Sequence, residues 1–276
     1  MLKLDMTFNE NAKPKQKRVI WKRALIAAAV VVGLGIPAAI DSNDYPEQTC
    51  SVEQANTSTD CRIEFTASSL DTVWTKVLKD TVNVNWTQPG LVVFSDQVST
   101  ACGTGTTKNG AFYCSYDTTV YIDTKFFDQL TEWGSSVGPL AQEYVLAHEF
   151  GHHIQHKLGV LSRGFSGNVG DGSLPVRTEL QADCYAGVWA TKSDEVNTES
   201  GAPGVNQITQ QQLLDALSAA DAVGDDNIQT HRGQEVNAQK WAHGSSEQRQ
   251  MYFMRGYTYG RMDMCDTYNI EDLNNP

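Results

Sequence analysis

Residues 148–152 read His-Glu-Phe-Gly-His, and the run continues through His153, Ile154, Gln155 and His156. Four of the six histidines in the chain fall within these nine positions. Histidines at i and i+4 share a face on an α-helix, where their Cβ atoms lie about 5–6 Å apart. The stretch therefore requires a helix, and Ala147, Gly151, Ile154 and Leu158 give that helix an apolar side to bury. At this spacing two imidazoles take two corners of a zinc tetrahedron, with bonds of about 2.0–2.1 Å. Glu149 lies about 100° round the helix from His148, so it does not ligate the same ion but reaches a water beside it. A carboxylate so placed serves as a general base. His153 projects about 140° away from His148 and reads as a packed or hydrogen-bonded residue. His156 sits a full turn beyond His152 and is a rival ligand.

A catalytic zinc site needs a third protein ligand and one open position. The metzincin extension fails, because Gln155 and Leu158 occupy the positions where Gly and the third His belong. Thr178-Glu179-Leu180-Gln181-Ala182-Asp183 offers two carboxylates at i and i+4 on an otherwise apolar helix. We assign Glu179 as the third ligand. Asp183 accepts the N–H of a ligating imidazole and fixes its tautomer. The competing interpretation is a solvated acidic face. His243, in WAHGSSEQR, is the candidate donor to an oxyanion, placed in a loop before a helix whose capping box would use Glu247. His231 follows a helix end and reads as surface.

Around these motifs the pattern is α+β. Leu70, Val73, Trp74, Val77 and Leu78 recur at helical spacing, with Ser68 or Ser69 as N-cap. LVVFSD (91–96) is a short buried strand, and AFYCSYDTTVYID holds two strand-like runs about a polar turn, a hairpin. Helices follow over about 139–158, from Pro175 onward, and over ITQQQLLDALSAADAVG, with a Gly-rich loop at 162–175. No internal repeat is present.

Residues 24–40, ALIAAAVVVGLGIPAAI, form an uncharged run of 17. Residues 1–40 carry seven Lys/Arg against two Asp/Glu, while the rest carries fourteen against thirty-one, a net −17. An acidic body repels polyanions and excludes nucleic acid as a partner. Basic flanks stay cytoplasmic, so 1–23 is read as a basic cytoplasmic tail, 24–40 as a single-pass transmembrane anchor, 41–66 as a polar linker and 67–276 as the working domain. A cleaved signal peptide is the alternative, but the basic segment is long and the apolar run exceeds a usual signal core. Either way the body lies outside the cytoplasm, periplasmic or extracellular. Six cysteines suit that compartment. They allow fifteen pairings, and closeness suggests Cys50–Cys61 and Cys102–Cys114, leaving Cys184–Cys265.

YVLAHEFGHHIQ, RTELQADCYAGVWA, AHGSSEQR and CDTY, with SLDTVWTKVL, LVVFSD, ACGTG, FYC and VYIDTKFF upstream and in order, resemble the bacterial neutral zinc metallopeptidase family. The resemblance covers roughly residues 67–268. It is of the gluzincin type and implies a zincin-like fold, Zn2+ as cofactor, His148, His152 and Glu179 as metal ligands, Glu149 as base, and one N-terminal membrane helix. The expectation is a membrane-anchored zinc endopeptidase that hydrolyses protein or peptide substrates outside the cytoplasm. Val120–Asp123 is the expected sheet edge on which the substrate is laid as an added strand. The competing classes are a non-catalytic binding module on the same scaffold, and an envelope protein whose metal only staples the fold.

Overall fold

The computed structural model describes residues 18–21, 50, 52–200 and 208–276. The expected span at 24–40 lies outside the described residues. Among the described residues no helix is long and apolar enough to cross a membrane.

A four-stranded sheet has the order β1 (Arg18–Trp21), β2 (Gly90–Phe94), β6 (Thr119–Asp123), β5 (Ala111–Cys114). β2 and β6 run parallel, while β1 and β5 pair antiparallel with their neighbours. β3 (Gln97–Thr100) and β4 (Gly103–Thr106) form a separate hairpin. Its Val98 packs with Val92, Phe94, Phe112 and Tyr121 in a small second core.

One sequence reading changes here, and another meets a conflict. Val120–Asp123 is inside the sheet, paired on both sides, so it cannot accept a further strand. The edge beside the helices is β5, and no described strand pairs with its outer side. Strand β1 lies in the segment read as a cytoplasmic tail. A chain that crosses a bilayer over 24–40 holds residue 19 and residue 92 on opposite faces, so the span and the Val19–Val92 register exclude each other.

The other face of the sheet carries the main core. α1 (Val52–Thr57) leads into α2 (Thr59–Val82), which begins at N-cap Ser58 and ends at left-handed Asn83. The linker reading of 41–66 is therefore corrected over 52–66, which is helical apart from the Ser58 cap. Ile63 and Ala67 extend the apolar stripe of Leu70, Val73, Trp74 and Leu78 upstream, and all are buried. Each such Leu or Ile stabilises the fold by about 1.5–3 kcal/mol. After α3 (Thr124–Glu132), α4 (Pro139–Lys157) runs beneath the sheet with Pro139 at its first turn, where a missing N–H costs nothing. α5 (Leu174–Ser200), α6 (Gln210–Ala222), α7 (Asp225–His231) and α8 (Ser246–Tyr259) complete eight α-helices among the described residues. The capping box of α8 pairs Ser245 with Gln248 rather than with Glu247.

α5 and α8 cross closely. A Cβ on Gly256 would stand 1.9 Å from the Cys184 carbonyl oxygen, so only glycine permits the approach. The three disulfides are Cys50–Cys61, Cys102–Cys114 and Cys184–Cys265, the pairing that closeness suggested. The last, with a sequence separation of 81, ties α5 to the chain beyond α8.

Candidate metal centre

His148 and His152 face α5 from one side of α4. Gly151 lies between them, and a Cβ there would stand 2.9 Å from the Ala182 Cα. The absent side chain lets the two helices touch, which brings Glu179 to both imidazoles. Glu179 Oε2 is 3.1 Å from His148 Nε2, and Oε1 is 3.4 Å from His152 Nε2. One ligand atom from each of the three residues lies within 4.8 Å of the others.

The outward nitrogens are already engaged. Asp183 Oδ1 lies 2.7 Å from His148 Nδ1, as the spacing of Glu179 and Asp183 led us to expect. Asp183 also accepts from Tyr144 Oη at 2.5 Å and from Arg249 Nε and Nη2 at 2.9 Å. Gln155 Oε1 lies 2.9 Å from His152 Nδ1. Both imidazoles therefore hold a proton at Nδ1 and turn Nε2, the nitrogen that a metal would take in place of a proton, toward Glu179. Two imidazole nitrogens and a carboxylate are a donor set that suits zinc.

The electrostatics favour positive charge between these groups. Burial lowers the His148 pKa, but the Asp183 charge overcomes it and raises it to about 10. Burial opposes ionisation of Glu179 as well, yet His152 and His148 hold its carboxyl well below the ordinary range. A cation among the three side chains meets the same demand as protons on the imidazoles. Glu149 is buried beside them. Burial pushes its carboxyl up, while His148 and His152 pull it down.

The trio opens on a cleft of about 480 Å³. Glu149 and His243 line it together with β5, and Trp133, Val145, Val223 and Ile228 form an apolar flank. Leu161 and Phe165, in a short 3-10 turn, line it as well. His243 Nδ1 lies 3.1 Å from Asp225 Oδ1, and Asp225 Oδ2 accepts the backbone N–H of Ala242, His243 and Gly244. Asp225 thus holds the loop, and the imidazole remains about half exposed at the cleft wall. His231, the last residue of α7, is exposed.

The structure brings together every residue singled out for the site. It adds Gln155, Tyr144, Asp225 and Arg249, which the sequence reading had not assigned. Arg249 lay in the quoted AHGSSEQR segment, one helical position past the capping box, but nothing in a lone arginine says which carboxylate it meets. His153 and His156 point away from the trio. His153 is packed against Trp86 and hydrogen-bonded to the Thr87 carbonyl.

The family described as "Putative neutral zinc metallopeptidase" matches residues 20–268. An uncharacterized protein of Mycobacterium tuberculosis is 44% identical over 242 residues, covering 85% of this chain and 81% of its own. The uncharacterized protein YpfJ of Escherichia coli is 39% identical over 187 residues, covering 66% of this chain and 62% of its own. No solved structure matches the chain.

Proposed function

The chain belongs to this neutral zinc metallopeptidase family, and from that premise we propose that it is a zinc-dependent endopeptidase with a zincin-like catalytic domain. The observation that carries the reading is the meeting of His148 Nε2, His152 Nε2 and Glu179 on the floor of an open cleft, with Glu149 buried beside them. His148, His152 and Glu179 would hold the metal. Zinc, when bound, supplies Lewis-acid polarisation of a peptide carbonyl and lowers the pKa of water to about 7.

The remaining chemistry falls to side chains. Glu149 accepts the proton of the attacking water and passes it to the leaving amine. Its partly apolar surroundings favour the neutral acid once the proton has been taken, which suits a group that must also give it up. His243, held in its protonated form by the Asp225 carboxylate at Nδ1 against the pull of burial, donates Nε2–H to the carbonyl oxygen as charge develops. Asp183 and Gln155 keep the two imidazoles in the tautomer that presents Nε2. The substrate pairs as an extended strand with the outer side of β5, where no described strand pairs, replacing the Val120–Asp123 edge expected from sequence.

We place this domain outside the cytoplasm. The three disulfides support that location, since they leave no free cysteine among the described residues. Tethering through residues 24–40 requires β1 to leave the edge of β2.

The deciding experiment is a digest of unfolded casein by wild type and by Glu149→Gln, each with measured zinc content. The variant should bind zinc as wild type does and lose hydrolysis by at least about a thousandfold. A Glu149→Gln enzyme of ordinary activity would remove the assigned base.

A further inference from the structure

Of four clustered histidines the metal trio uses two, and His153 and His156 are left over. They sit at i and i+3 on a different face of α4 and converge on a single hydroxyl. Tyr113 Oη is 2.9 Å from His153 Nδ1 and 2.7 Å from His156 Nδ1. Tyr113 belongs to β5 and projects to the α4 side of the sheet, packed against the main core, whereas its neighbour Phe112 packs on the opposite face.

We propose that Tyr113, His153 and His156 form a clamp that sets the height and register of the β5 edge over the metal helix, so that a substrate strand paired to β5 meets the metal centre. This rests on the reading of β5 as the strand that receives substrate. All three are positioning residues and touch neither metal nor scissile bond.

The direction of the hydrogen bonds follows from the far end of the chain. His153 Nε2 is 2.7 Å from the Thr87 carbonyl oxygen, which can only accept, so that nitrogen carries the proton. In the neutral ring Nδ1 is then bare and accepts from the Tyr113 hydroxyl. The hydroxyl oxygen in turn accepts from His156 Nδ1–H. Donation runs in one sense from His156 to Tyr113, then His153, then Thr87, and no member is left unpaired. Thr87 lies in the segment leading into β2, so the chain links α4 to two separate parts of the sheet. The Trp86 ring meets His153 edge-on at 5.0 Å and stacks on Phe150 at 6.2 Å, which fixes the His153 ring plane. His153 itself is 1% exposed.

Such a clamp matters because a strand added to β5 inherits its position from β5. An edge that wanders must be ordered whenever a substrate pairs with it, so loosening it weakens binding rather than the chemical step. Among the described residues no strand pairs with the outer side of β5, so side-chain ties carry more of its positioning than they do in an internal strand.

The test uses the zinc-loaded full chain in two forms of assay. Tyr113→Phe removes the hydroxyl and keeps the ring. For a peptide long enough to pair along Ala111–Cys114, KM should rise about five- to tenfold, while kcat stays within about twofold and zinc content is unchanged. A peptide too short to pair there should show the wild-type KM. Amide exchange at Ala111–Cys114 should quicken relative to β6. His156→Asn keeps an N–H donor near the Nδ1 position and should retain long-peptide KM. His156→Leu should lose it, and this pair decides the matter if Tyr113→Phe does not fold. Wild-type KM and wild-type β5 exchange in Tyr113→Phe would overturn the clamp. Equal losses on short and long peptides would overturn it too. If wild-type zinc protein hydrolyses nothing, the proposed function fails, and the exchange measurement still decides the clamp.

Discussion

Gln155 Oε1 accepts from His152 Nδ1 at 2.9 Å, and both residues sit on the same helix three positions apart. The amide is not free to turn. Its Nε2 donates to the Thr178 carbonyl at 2.7 Å and to Gln181 Oε1 at 3.1 Å, so the oxygen must face the imidazole. Gln155 is fully buried, and its orientation is set by α5. It thereby dictates which nitrogen of His152 is turned toward Glu179 and left for a metal. Gln155→Leu should weaken zinc binding by about 10–100-fold, the usual cost of removing a partner behind a metal-binding histidine. Competition against a chromophoric chelator reads this directly, and unchanged affinity would deny the residue that role.

Asp183 takes hydrogen bonds from three side chains and is fully buried. Its strongest obligation is to Arg249, whose guanidinium is buried as well. Removing one member of a buried pair leaves the other charge unanswered, at a cost of about 3–5 kcal/mol. Asp183→Ala should therefore lose stability on that order and lose zinc as well. Arg249→Met should also destabilise, yet retain measurable zinc, because His148 Nδ1 keeps its acceptor. Denaturant melts with metal analysis separate the two effects. Equal zinc loss in both variants would show that Arg249, and not Asp183, holds the His148 ring.

How much of this was legible in residues alone depends on the range of the interaction. The helix 139–157 and its two ligands follow from local spacing, and so does the Glu179–Asp183 pair, because i and i+4 share a face wherever a helix forms. Gln155 was visible only as a mismatch to another motif. Its function comes from Thr178 and Gln181 across a helix interface, which no periodicity encodes. The sheet edge failed for the same reason. Val120–Asp123 and Ala111–Cys114 both read as strands, but which of them is internal depends on β2 pairing in parallel with β6 across some 25 intervening residues. Residues 52–66 were read as linker because their polar side chains hide the buried Ile63 and Phe65.

Glu143 gives the stability a pH dependence unrelated to catalysis. Its Oε2 is buried without a hydrogen-bond partner. Burial pushes the carboxyl from 4.5 up to about 7, with the Arg62 charge pulling the other way. The folded chain thus keeps a proton that the unfolded chain releases near 4.5. Its contribution is fully present below that value and is lost as the pH rises through about 7. Glu143→Gln should remove this slope. The stability of the variant relative to wild type should grow by about 1–3 kcal/mol between pH ~5 and ~8. Melts at both values, zinc-saturated throughout, check it, and a constant difference would contradict the shift.

The flank of the cleft sets the last expectation, which concerns substrate choice and rests on the proposed hydrolysis. Val145 lies one turn before Glu149 on α4, and Trp133, Val223 and Ile228 come from three other places in the chain to line the same cleft. All are apolar and none offers a hydrogen bond beyond the Trp133 indole. A large apolar side chain placed against these four removes its own surface and theirs from water, whereas a charged one loses hydration that apolar groups do not replace. An acidic body adds a second penalty for acidic peptides. Peptides carrying Leu or Phe beside the scissile bond should be cleaved with kcat/KM at least about tenfold above those carrying Asp, since such a pocket discriminates by about 1–3 kcal/mol. Ile228→Asp should erode the preference by raising KM for the apolar peptides, because a carboxylate in that wall must be desolvated whenever they bind. Ile228→Leu should keep it. A library digest sequenced by mass spectrometry, run with wild type and both variants, reads all of these at once. Acidic residues enriched beside the cleavage site of wild type would mean that this wall does not receive the substrate.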